Sequence, residues 1–320
     1  MLKKMFIKKI ILIAATSFAL LLMYLVPKEN NYTLDTKQEL TYVDNSEKSI
    51  IYLLNKNNYV CRTKVAISNN EVTVKAKELL EILIKNGKLE NKIPNGFKAI
   101  IPSDTKINSI SYENGLIKVD FSSSLIDVEK KYEEKVIEAI VYTLTSIEEV
   151  ENVIIYIDGE ILTKLPKTGI NLPSTLNREF GINKEYDLKS YKDVSKVTVY
   201  YIGENNDETY YIPVTKYMND DREKIKIIVD ELASSYLYNS NLMSFLNSNT
   251  KLLATEKEID SLFLVFNEYI FNDMNTKNIL EEVIYTISLS VADNYDVKEV
   301  IFSANNEEIY KSVIKTIENS

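Results

Sequence analysis

A strand–helix–strand pattern between residues 112 and 160 constrains this chain more than any other feature of its sequence. Residues 116–121 (LIKVDF) alternate apolar and polar side chains, which is the period of a half-buried strand. From residue 136 to 147 the apolar side chains recur at three- and four-residue spacing, which predicts an amphipathic helix. A β-branched run at 153–157 then ends in Asp158-Gly159, a strong turn signal. The pattern therefore predicts a strand, a covering helix and a second strand.

The same pattern returns about 145 residues later. The second copy reads LFLVF at 262–266, ILEEVIYTISL at 279–289 and VKEVIF at 297–302. Shorter matches keep the same order: 104–107 (DTKI) with 249–252 (NTKL), Phe121 with Phe266, and Tyr142-Thr143 with Tyr285-Thr286. We therefore predict a tandem duplication of one domain-sized unit and not a solenoid of short repeats.

Each copy is predicted to contain a hairpin, a helix, further strands, a second helix and a last strand. The hairpins are predicted at 49–54 with 59–67 and at 196–202 with 209–215, and the first helix of each copy at 74–86 and 225–236. Two helices can cover only one face or one end of such a sheet, so the predicted class is α+β, with two tandem domains of β-α-β-β-α-β type. We place the first domain at 47–161, a linker at 162–195 and the second domain at 196–312.

The N-terminus is predicted to anchor the chain in a membrane. Residues 10–26 (IILIAATSFALLLMYLV) are 17 uncharged, mostly apolar residues, close to the shortest length that spans a bilayer. Lys3, Lys4, Lys8 and Lys9 precede them, so the positive-inside rule keeps 1–9 in the cytoplasm and puts the body outside, after a spacer at 27–46. A cleaved signal peptide is the competing interpretation, but no small-residue cleavage site follows the apolar run. We expect an uncleaved, single-pass transmembrane helix.

Missing residue types exclude several classes of enzyme. The chain has no His, which excludes a histidine triad and a histidine-ligated zinc site, and its one Cys excludes internal disulfides and thiolate clusters. We predict that this residue, Cys61, is a small core residue. Without its first nine residues the chain carries a formal charge of −13, against −9 for the whole chain, which makes nucleic acid an unsuitable partner.

Adjacent carboxylates occur at four places: Glu133-Glu134, Glu148-Glu149, Asp220-Asp221 and Glu281-Glu282. The side chains of neighbouring residues do not converge on one substrate atom, so these pairs do not predict acid–base catalysis. The spacing of a calcium loop and a phosphate-binding glycine loop are both absent from the sequence. We therefore expect no catalytic residue, no metal site and no cofactor.

Residues 165–169 spell LPKTG, the wall-anchoring motif of sortase substrates. Sortase substrates carry that motif just before a C-terminal apolar segment and a basic tail. Here about half of the chain follows it, and the C-terminus (SVIKTIENS) has no such segment. We therefore predict a turn between the domains at this position.

The first copy resembles the GerMN domain of the GerM sporulation and germination proteins. The family pattern falls at Pro102 and Thr105, at Asn114-Gly115, at 119–122 (VDFS), at 143–145 (TLT) and at Asp158-Gly159. In the linker, 175–178 (TLNR) and 181–183 (GIN) also resemble the family. The second copy is similar only in outline, since Val119-Asp120 becomes Leu264-Val265 and the closing Asp-Gly becomes Ala304-Asn305. The resemblance covers about residues 47–312.

This resemblance implies a tandem of domains similar to the ring-building modules of secretion-type assemblies. It implies a non-enzymatic protein in the mother-cell membrane, facing the forespore, that supports the channel complex between the two cells and hence normal spores and germination. Its partners would be other channel proteins or further copies in a ring. Known members resemble lipoproteins, whereas this chain has no Cys after its apolar run, which implies a transmembrane anchor without lipid.

From the residues alone, two further classes of function stay open. One is a glycan- or ligand-binding module at the cell wall, which would require a pocket lined by tyrosines and carboxylates between the domains. The other is a peptidoglycan hydrolase, which would require converging carboxylates or a lysine-activated serine, and the sequence shows neither.

Overall fold

The first repeat begins with a long hairpin, as the sequence predicts. The computed structural model describes residues 47–205, 208–234, 241–305 and 307–314. Strands β1 (Glu47–Asn55) and β2 (Val60–Ile67) pair antiparallel, and β3 (Phe97–Lys98) pairs with the end of β1. The rest of the repeat consists of α1 (Val72–Ile82), β4 (Ile107–Glu113), β5 (Leu116–Phe121), α2 (Glu133–Leu144), β6 (Asn152–Ile157) and β7 (Glu160–Ile161).

The second repeat follows the same order after a short strand in the predicted linker. That strand is β8 (Glu185–Asp187). The hairpin is formed by β9 (Ser195–Asn205) and β10 (Glu208–Met218), which pair antiparallel. The remaining elements are α3 (Lys224–Leu232), β11 (Leu252–Lys257), β12 (Ser261–Phe266), α4 (Glu281–Ala292), β13 (Glu299–Ala304) and β14 (Glu307–Val313). The α+β class is therefore confirmed for both repeats.

Each repeat contains its own four-stranded sheet. The sheets run β4-β5-β6-β7 and β11-β12-β13-β14, and in both the central pair is parallel while the outer pairs are antiparallel. A parallel pair needs a crossover, which α2 and α4 supply. The inward-facing residues of β5 and β12 are buried in the cores of their repeats: Ile117, Val119 and Phe121, and Leu262, Leu264 and Phe266. The alternating sequence pattern is thus explained by one core-facing side of each sheet.

Helix α2 is buried on nearly all sides, because the hairpin covers the face that the sheet leaves free. Ten of its twelve residues are buried, which an amphipathic helix on a sheet alone would not show. The Tyr52 amide of β1 donates to Thr143 Oγ1 at 3.0 Å. In the second repeat, the Tyr200 amide of β9 donates to Ser290 Oγ of α4 at 2.9 Å. The same strand-to-helix hydrogen bond therefore occurs in both copies.

That bond corrects one detail of the sequence comparison. The structural counterpart of Thr143 is Ser290, so the match of Tyr142-Thr143 with Tyr285-Thr286 was wrong by one helical turn. Residues four apart lie on the same face of a helix, so a match displaced by one turn keeps the same apolar pattern. The match of 104–107 with 249–252 is confirmed: Lys106 N donates to Ser122 Oγ and Lys251 N to Asn267 Oδ1, at 2.9 and 3.0 Å.

The first helix is shorter than the sequence predicts. It ends at Ile82, because the next carbonyl, that of Leu83, accepts the amides of both Ile100 and Ile101 at 3.0 and 2.9 Å. The Lys85 amide in turn donates to the Ile101 carbonyl. The strand that follows is regular only over Phe97–Lys98, since Ile100 and Ile101 bind the chain that leaves the helix.

The predicted membrane segment, 10–26, lies outside the described residues, as do its flanking lysines Lys3, Lys4, Lys8 and Lys9 and the spacer at 27–46. Among the residues that are described, no helix is both long enough and apolar enough to cross a bilayer. The N-terminal anchor therefore stays a prediction from the sequence.

Candidate functional site

The hairpins of the two repeats join in one sheet. Its strand order is β3-β1-β2-β10-β8, and β9 pairs with the other edge of β10. Strands β2 and β10 meet antiparallel at Arg62 and Tyr211, and β8 pairs parallel with the end of β10. The first repeat and the linker therefore share one edge of a strand of the second repeat, and the described residues belong to a single compact unit. We call the region where the first repeat and the linker contact the second repeat the junction.

Asn183, in the predicted linker, holds the two hairpins together. Its side chain is 5% exposed; Oδ1 accepts the Val60 amide at 2.9 Å, and Nδ2 donates to the carbonyls of Val60 and Pro213, both at 2.8 Å. Its backbone is left-handed, with φ +46°, which asparagine tolerates better than most residues. The amide side chain thus bridges β2 and β10 by hydrogen bonds, whereas the two strands pair directly at one position only.

Glu138 of α2 ties the first repeat to the same asparagine. Its Oε2 accepts the Asn183 amide at 3.0 Å, and Lys135 Nζ donates to Asn183 Oδ1 at 3.1 Å. Glu138 is 2% exposed, and burial raises the pKa of its carboxyl to about 7, against the opposing effect of the nearby Lys135 charge. A buried titratable group therefore lies at the point where helix, linker and both hairpins meet.

A second polar cluster joins the repeats through Arg178. Its Nη1 donates to Asp293 Oδ1 at 2.6 Å, and Asp293 Oδ2 accepts the Tyr200 hydroxyl at 2.9 Å. Because Tyr200 donates to Asp293, the Tyr52 hydroxyl at 3.2 Å donates to Tyr200. The chain of bonds runs from β1 through β9 and α4 to the linker.

Arg178 also contacts the end of helix α2. Its Nε donates to Thr145 Oγ1 and its Nη2 to Ser146 Oγ, both at 3.2 Å, and its guanidinium lies 5.2 Å from the centre of the Tyr142 ring. The Tyr142 hydroxyl donates to the Arg178 carbonyl at 3.2 Å. Every nitrogen of the guanidinium therefore donates to one repeat or the other, so Arg178 links the two repeats by hydrogen bonds and an ion pair.

The tyrosines of this cluster stay neutral and keep their hydrogen bonds. Tyr52, Tyr142 and Tyr200 are fully buried, and burial raises the pKa of all three hydroxyls, that of Tyr142 and Tyr200 well above the usual range. The rings of these tyrosines are packed in the interior. Their hydroxyls have the additional role of connecting two repeats.

A third contact joins the tips of the hairpins. Asn55 Nδ2 donates to the Tyr210 hydroxyl at 3.1 Å, and the Phe97 ring packs edge-on against the Tyr210 ring at 4.8 Å. Gly203 lies opposite Tyr210 in the ladder, and a Cβ atom at Gly203 would overlap the Tyr210 ring. The Tyr210 ring can reach the first repeat in this position because residue 203 has no side chain.

The LPKTG segment is a folded turn. The amides of Lys167 and Thr168 donate to the two carboxylate oxygens of Glu133 at 2.7 and 2.6 Å, and Gly169 N donates to the Leu165 carbonyl. Leu165 is 1% and Glu133 2% exposed. The segment is thus bent and bound within the fold, as the turn prediction expects.

The first part of the linker, residues 162–183, packs against the repeats, whereas residues 186–194 are mostly exposed. Residues Leu162, Leu165, Leu172, Leu176 and Ile182 are buried, and Leu176 pairs with Val153 of β6. Polar residues between these leucines gave the segment the composition of a spacer. The apolar residues at irregular spacing follow neither the helical nor the strand period, so the sequence does not predict their burial.

Three of the four adjacent carboxylate pairs occupy structural positions. Glu134 binds Lys184 at 2.6 Å, Asp220 binds Arg222 at 2.8 Å, and Glu281 and Glu282 occupy the first turn of α4, where acidic residues complement the helix dipole. Cys61 is fully buried, and burial raises the pKa of its thiol well above the usual range, so it is not a reactive thiolate. Within the described part of the chain, no three His, Cys, Asp or Glu residues are grouped as metal ligands would be.

Only some of the junction residues lie in sequence stretches that indicate a special role. Arg178 and Asn183 fall in the two linker stretches, TLNR and GIN, that resemble the family. Asp293 and Tyr200 lie in an ordinary helix end and strand, and no local pattern marks them. Their role arises only when distant segments meet.

Comparisons with known proteins agree with this architecture. The family model for Germane, described as sporulation and spore germination, matches residues 50–163 and again 198–310. The spore germination protein GerM of Bacillus subtilis (strain 168) is 33% identical over 262 residues, which are 80% of this chain and 71% of that protein. The solved tandem GerMN domains of the B. subtilis sporulation protein GerM superpose with a TM-score of 0.73 at 31% identity, covering 82% of this chain and 92% of that one.

The family model matches both repeats, and the solved structure contains the same tandem of domains. The duplication, the α+β repeats and the resemblance to GerMN domains, each inferred from the sequence, are thereby confirmed. This chain is a homologue of GerM with tandem GerMN domains and belongs to the Germane family of sporulation and spore germination proteins.

Proposed function

We propose that this protein is a non-enzymatic assembly protein of spore formation, which supports the channel complex between mother cell and forespore. The observation that carries the proposal is the junction: three sets of buried or half-buried contacts hold two GerMN repeats in one unit. A fixed pair of repeats can present two binding surfaces at a constant distance and angle. That property suits an assembly component.

The polar groups of the junction are engaged in structure. Arg178 and Asp293 bind each other, and Glu133 binds two backbone amides. A catalytic acid or nucleophile needs an open approach for substrate and a second group within hydrogen-bond reach. In the described residues, the buried carboxylates hold backbone or side-chain donors of the protein itself, which favours a structural role.

The proposed location is the mother-cell membrane, with the body outside the cytoplasm. This part of the proposal rests on the sequence: the apolar segment at 10–26 and the four lysines before it. The partners proposed are other proteins of the channel and, in a ring, further copies of this chain.

The localisation of the protein during spore formation tests the proposal. A fluorescent protein fused to the C-terminus, on the external side, is expected to be enriched around the engulfed forespore. We expect that enrichment to disappear when genes of the channel proteins are deleted. A uniform envelope signal in vegetative cells, unchanged by those deletions, would contradict the assembly function.

One observation favours the alternative, a glycan- or ligand-binding module. A cleft of about 430 Å³ lies between β8 and the second repeat, lined by Glu185, Tyr186, Asp187, Lys216, Met218, Glu231 and Ser234. It combines a tyrosine with three carboxylates, as such a module would require. However, Lys216 binds Glu231 at 2.5 Å and lies 3.6 Å from Glu185, so two of the three carboxylates have a partner. The uniform envelope signal would favour this alternative.

A further inference from the structure

The outer face of the second four-stranded sheet carries an apolar stripe, which we define as Phe263, Val265 and Ile301. Leu262, Leu264 and Phe266 point into the core, so Phe263 and Val265, between them on β12, point outward. Ile301 pairs with Phe263 in the ladder and is 6% exposed, yet it lies outside both cores. Phe263 and Val265 are half-buried.

The first repeat serves as an internal reference, and its sheet lacks this stripe. Position by position, Phe263 corresponds to Lys118 and Val265 to Asp120, while Ile301 corresponds to Ile154. Asp120 accepts the Gly159 amide at 3.0 Å and the Asn108 side chain at 3.3 Å. A GerMN sheet is therefore stable with charged residues at both central outward positions. Stability of the fold does not require the apolar pair of the second repeat, which leaves a binding role.

Carboxylates flank the stripe on both edge strands. Glu256 of β11 lies opposite Phe263, and Glu308 of β14 lies opposite Ser303, the neighbour of Val265. Both are exposed, and neither has an ion-pair partner among the described residues. Glu299, at one end of the stripe, is paired with Lys311 at 2.7 Å. The face is thus apolar along its centre, with one exposed carboxylate on each edge strand, while Lys311, which lies opposite Ile301, is bound by Glu299.

The dimensions of the face decide what can cover it. Four strands spaced about 4.8 Å apart and six residues long form a surface of roughly 19 by 20 Å. That area, about 400 Å², is half of the roughly 800 Å² per partner that a stable protein–protein interface needs, so this face alone does not hold two copies together. An α-helix is about 10 Å wide, and about 13 residues of it span 20 Å. One helix laid along the strands fits the stripe.

We propose that this face binds an amphipathic helix of another protein, with its apolar side on the stripe and lysines or arginines along both flanks. The apolar side would cover Phe263, Val265 and Ile301, as helices cover sheets within a domain. The basic flanks would reach Glu256 and Glu308, with their aliphatic stems over the rim of the stripe. This deepens the proposed assembly function, because it states the chemistry of one partner and assigns the docking surface to the second repeat.

A peptide-binding experiment on the full-length chain in detergent micelles tests the proposal. The probe is a labelled 14-residue helical peptide with leucines on one side and lysines on both flanks, measured by fluorescence anisotropy. The comparison protein is the double variant Phe263→Lys/Val265→Asp, which carries the residues of the first repeat at the same positions. Micelles contribute equally to both measurements. We expect the variant to bind the peptide at least about tenfold more weakly.

Two controls distinguish charge-dependent recognition from non-specific hydrophobic binding. The same peptide with glutamates in place of its lysines is expected to bind the wild-type chain about tenfold more weakly. The variant Glu256→Lys/Glu308→Lys, which changes only exposed side chains, is expected to reverse this preference. It also keeps the proposal testable if the first double variant does not fold, as judged by its unfolding midpoint.

Equal affinity of both proteins for the lysine peptide would overturn the proposal. So would equal affinity of the wild-type chain for the two peptides. Light scattering that shows a dimer of the wild-type chain, absent in the first double variant, would assign the face to a second copy and would also overturn it. None of these measurements uses sporulating cells, so their failure leaves the localisation test of the proposed function unaffected.

Discussion

The ion pair between Arg178 and Asp293 offers a direct test of how the repeats are held together. Asp293 is 2% exposed in its side chain and accepts from both Arg178 and Tyr200, at 2.6 and 2.9 Å. In Asp293→Asn the shape is kept, but the charge is lost and an amide nitrogen faces one of the two donors. The substitution therefore leaves a cation at the junction without its counter-charge.

The size of the effect follows from burial. Removal of one member of a buried ion pair costs about 3–5 kcal/mol. Arg178 is 24% exposed in its side chain and keeps its bonds to Thr145 and Ser146, so part of its charge stays solvated and hydrogen-bonded. We therefore expect Asp293→Asn to lower the free energy of unfolding by about 2–3 kcal/mol.

Urea denaturation of a fragment of residues 46–320, the compact unit, measures this change. Asp230→Asn is the matched control, because Asp230 binds Arg222 at 2.5 Å with similar chemistry but is 62% exposed. An exposed pair contributes about 0–1 kcal/mol, so the control should change little. If the two variants lose the same free energy within about 0.5 kcal/mol, the argument that burial of the junction pair holds the repeats together is refuted.

Three further predictions concern single side chains. Burial raises the pKa of Glu138 to about 7 in the folded state, above its usual 4.5, so its contribution to stability is fully present below pH 4.5 and is lost as the pH rises through 7. Glu138→Gln should therefore remove about 3 kcal/mol of the pH dependence of the unfolding free energy. Urea denaturation at pH 5 and pH 8 that shows the same change in free energy for variant and wild type would contradict this. Glu133→Gln should weaken the hydrogen bonds to the 165–169 turn by about 1–3 kcal/mol, so we expect trypsin to cleave after Lys167 faster than in the wild type. An unchanged cleavage rate would show that other contacts hold the turn. Val119→Asp buries an unpaired charge and should unfold the first repeat, whereas Lys118→Asp on the outward side of the same strand should not; circular dichroism that shows both variants folded would disprove the core assignment.

Local patterns predicted the elements of this fold where period and turn chemistry agree. The alternation at 116–121 became β5, and Asp158-Gly159 became the turn between β6 and β7, with both residues at positive φ. The α1 helix was predicted too long, since the carbonyl of Leu83 is taken by Ile100 and Ile101 from a segment 17 residues away. The ends of helices and strands depend on such distant hydrogen-bond partners, and local residue propensity carries no information about them.

The candidate site was predictable only in part. Arg178 and Asn183 stand in stretches that resemble the family, so the sequence marks them without stating what they do. Tyr52 and Tyr200 have the strand pattern of core residues and are fully buried, and this burial brings their hydroxyls to within 3.2 Å of each other. Nothing in the sequence near either tyrosine shows that the other, 148 residues away, is its partner.

The sequence by itself determined the duplication, the α+β class of each repeat and the membership of the Germane family, because these depend on order, period and local chemistry. The tertiary structure decided that the two hairpins form one sheet, that residues 162–183 of the linker pack against the repeats, and that Arg178 of the linker pairs with Asp293 of the second repeat. It also distinguished the charged outer face of one sheet from the apolar outer face of the other. The physical reason is that a hydrogen bond or an ion pair between distant segments depends on their positions in space, and those positions follow from the packing of the whole chain.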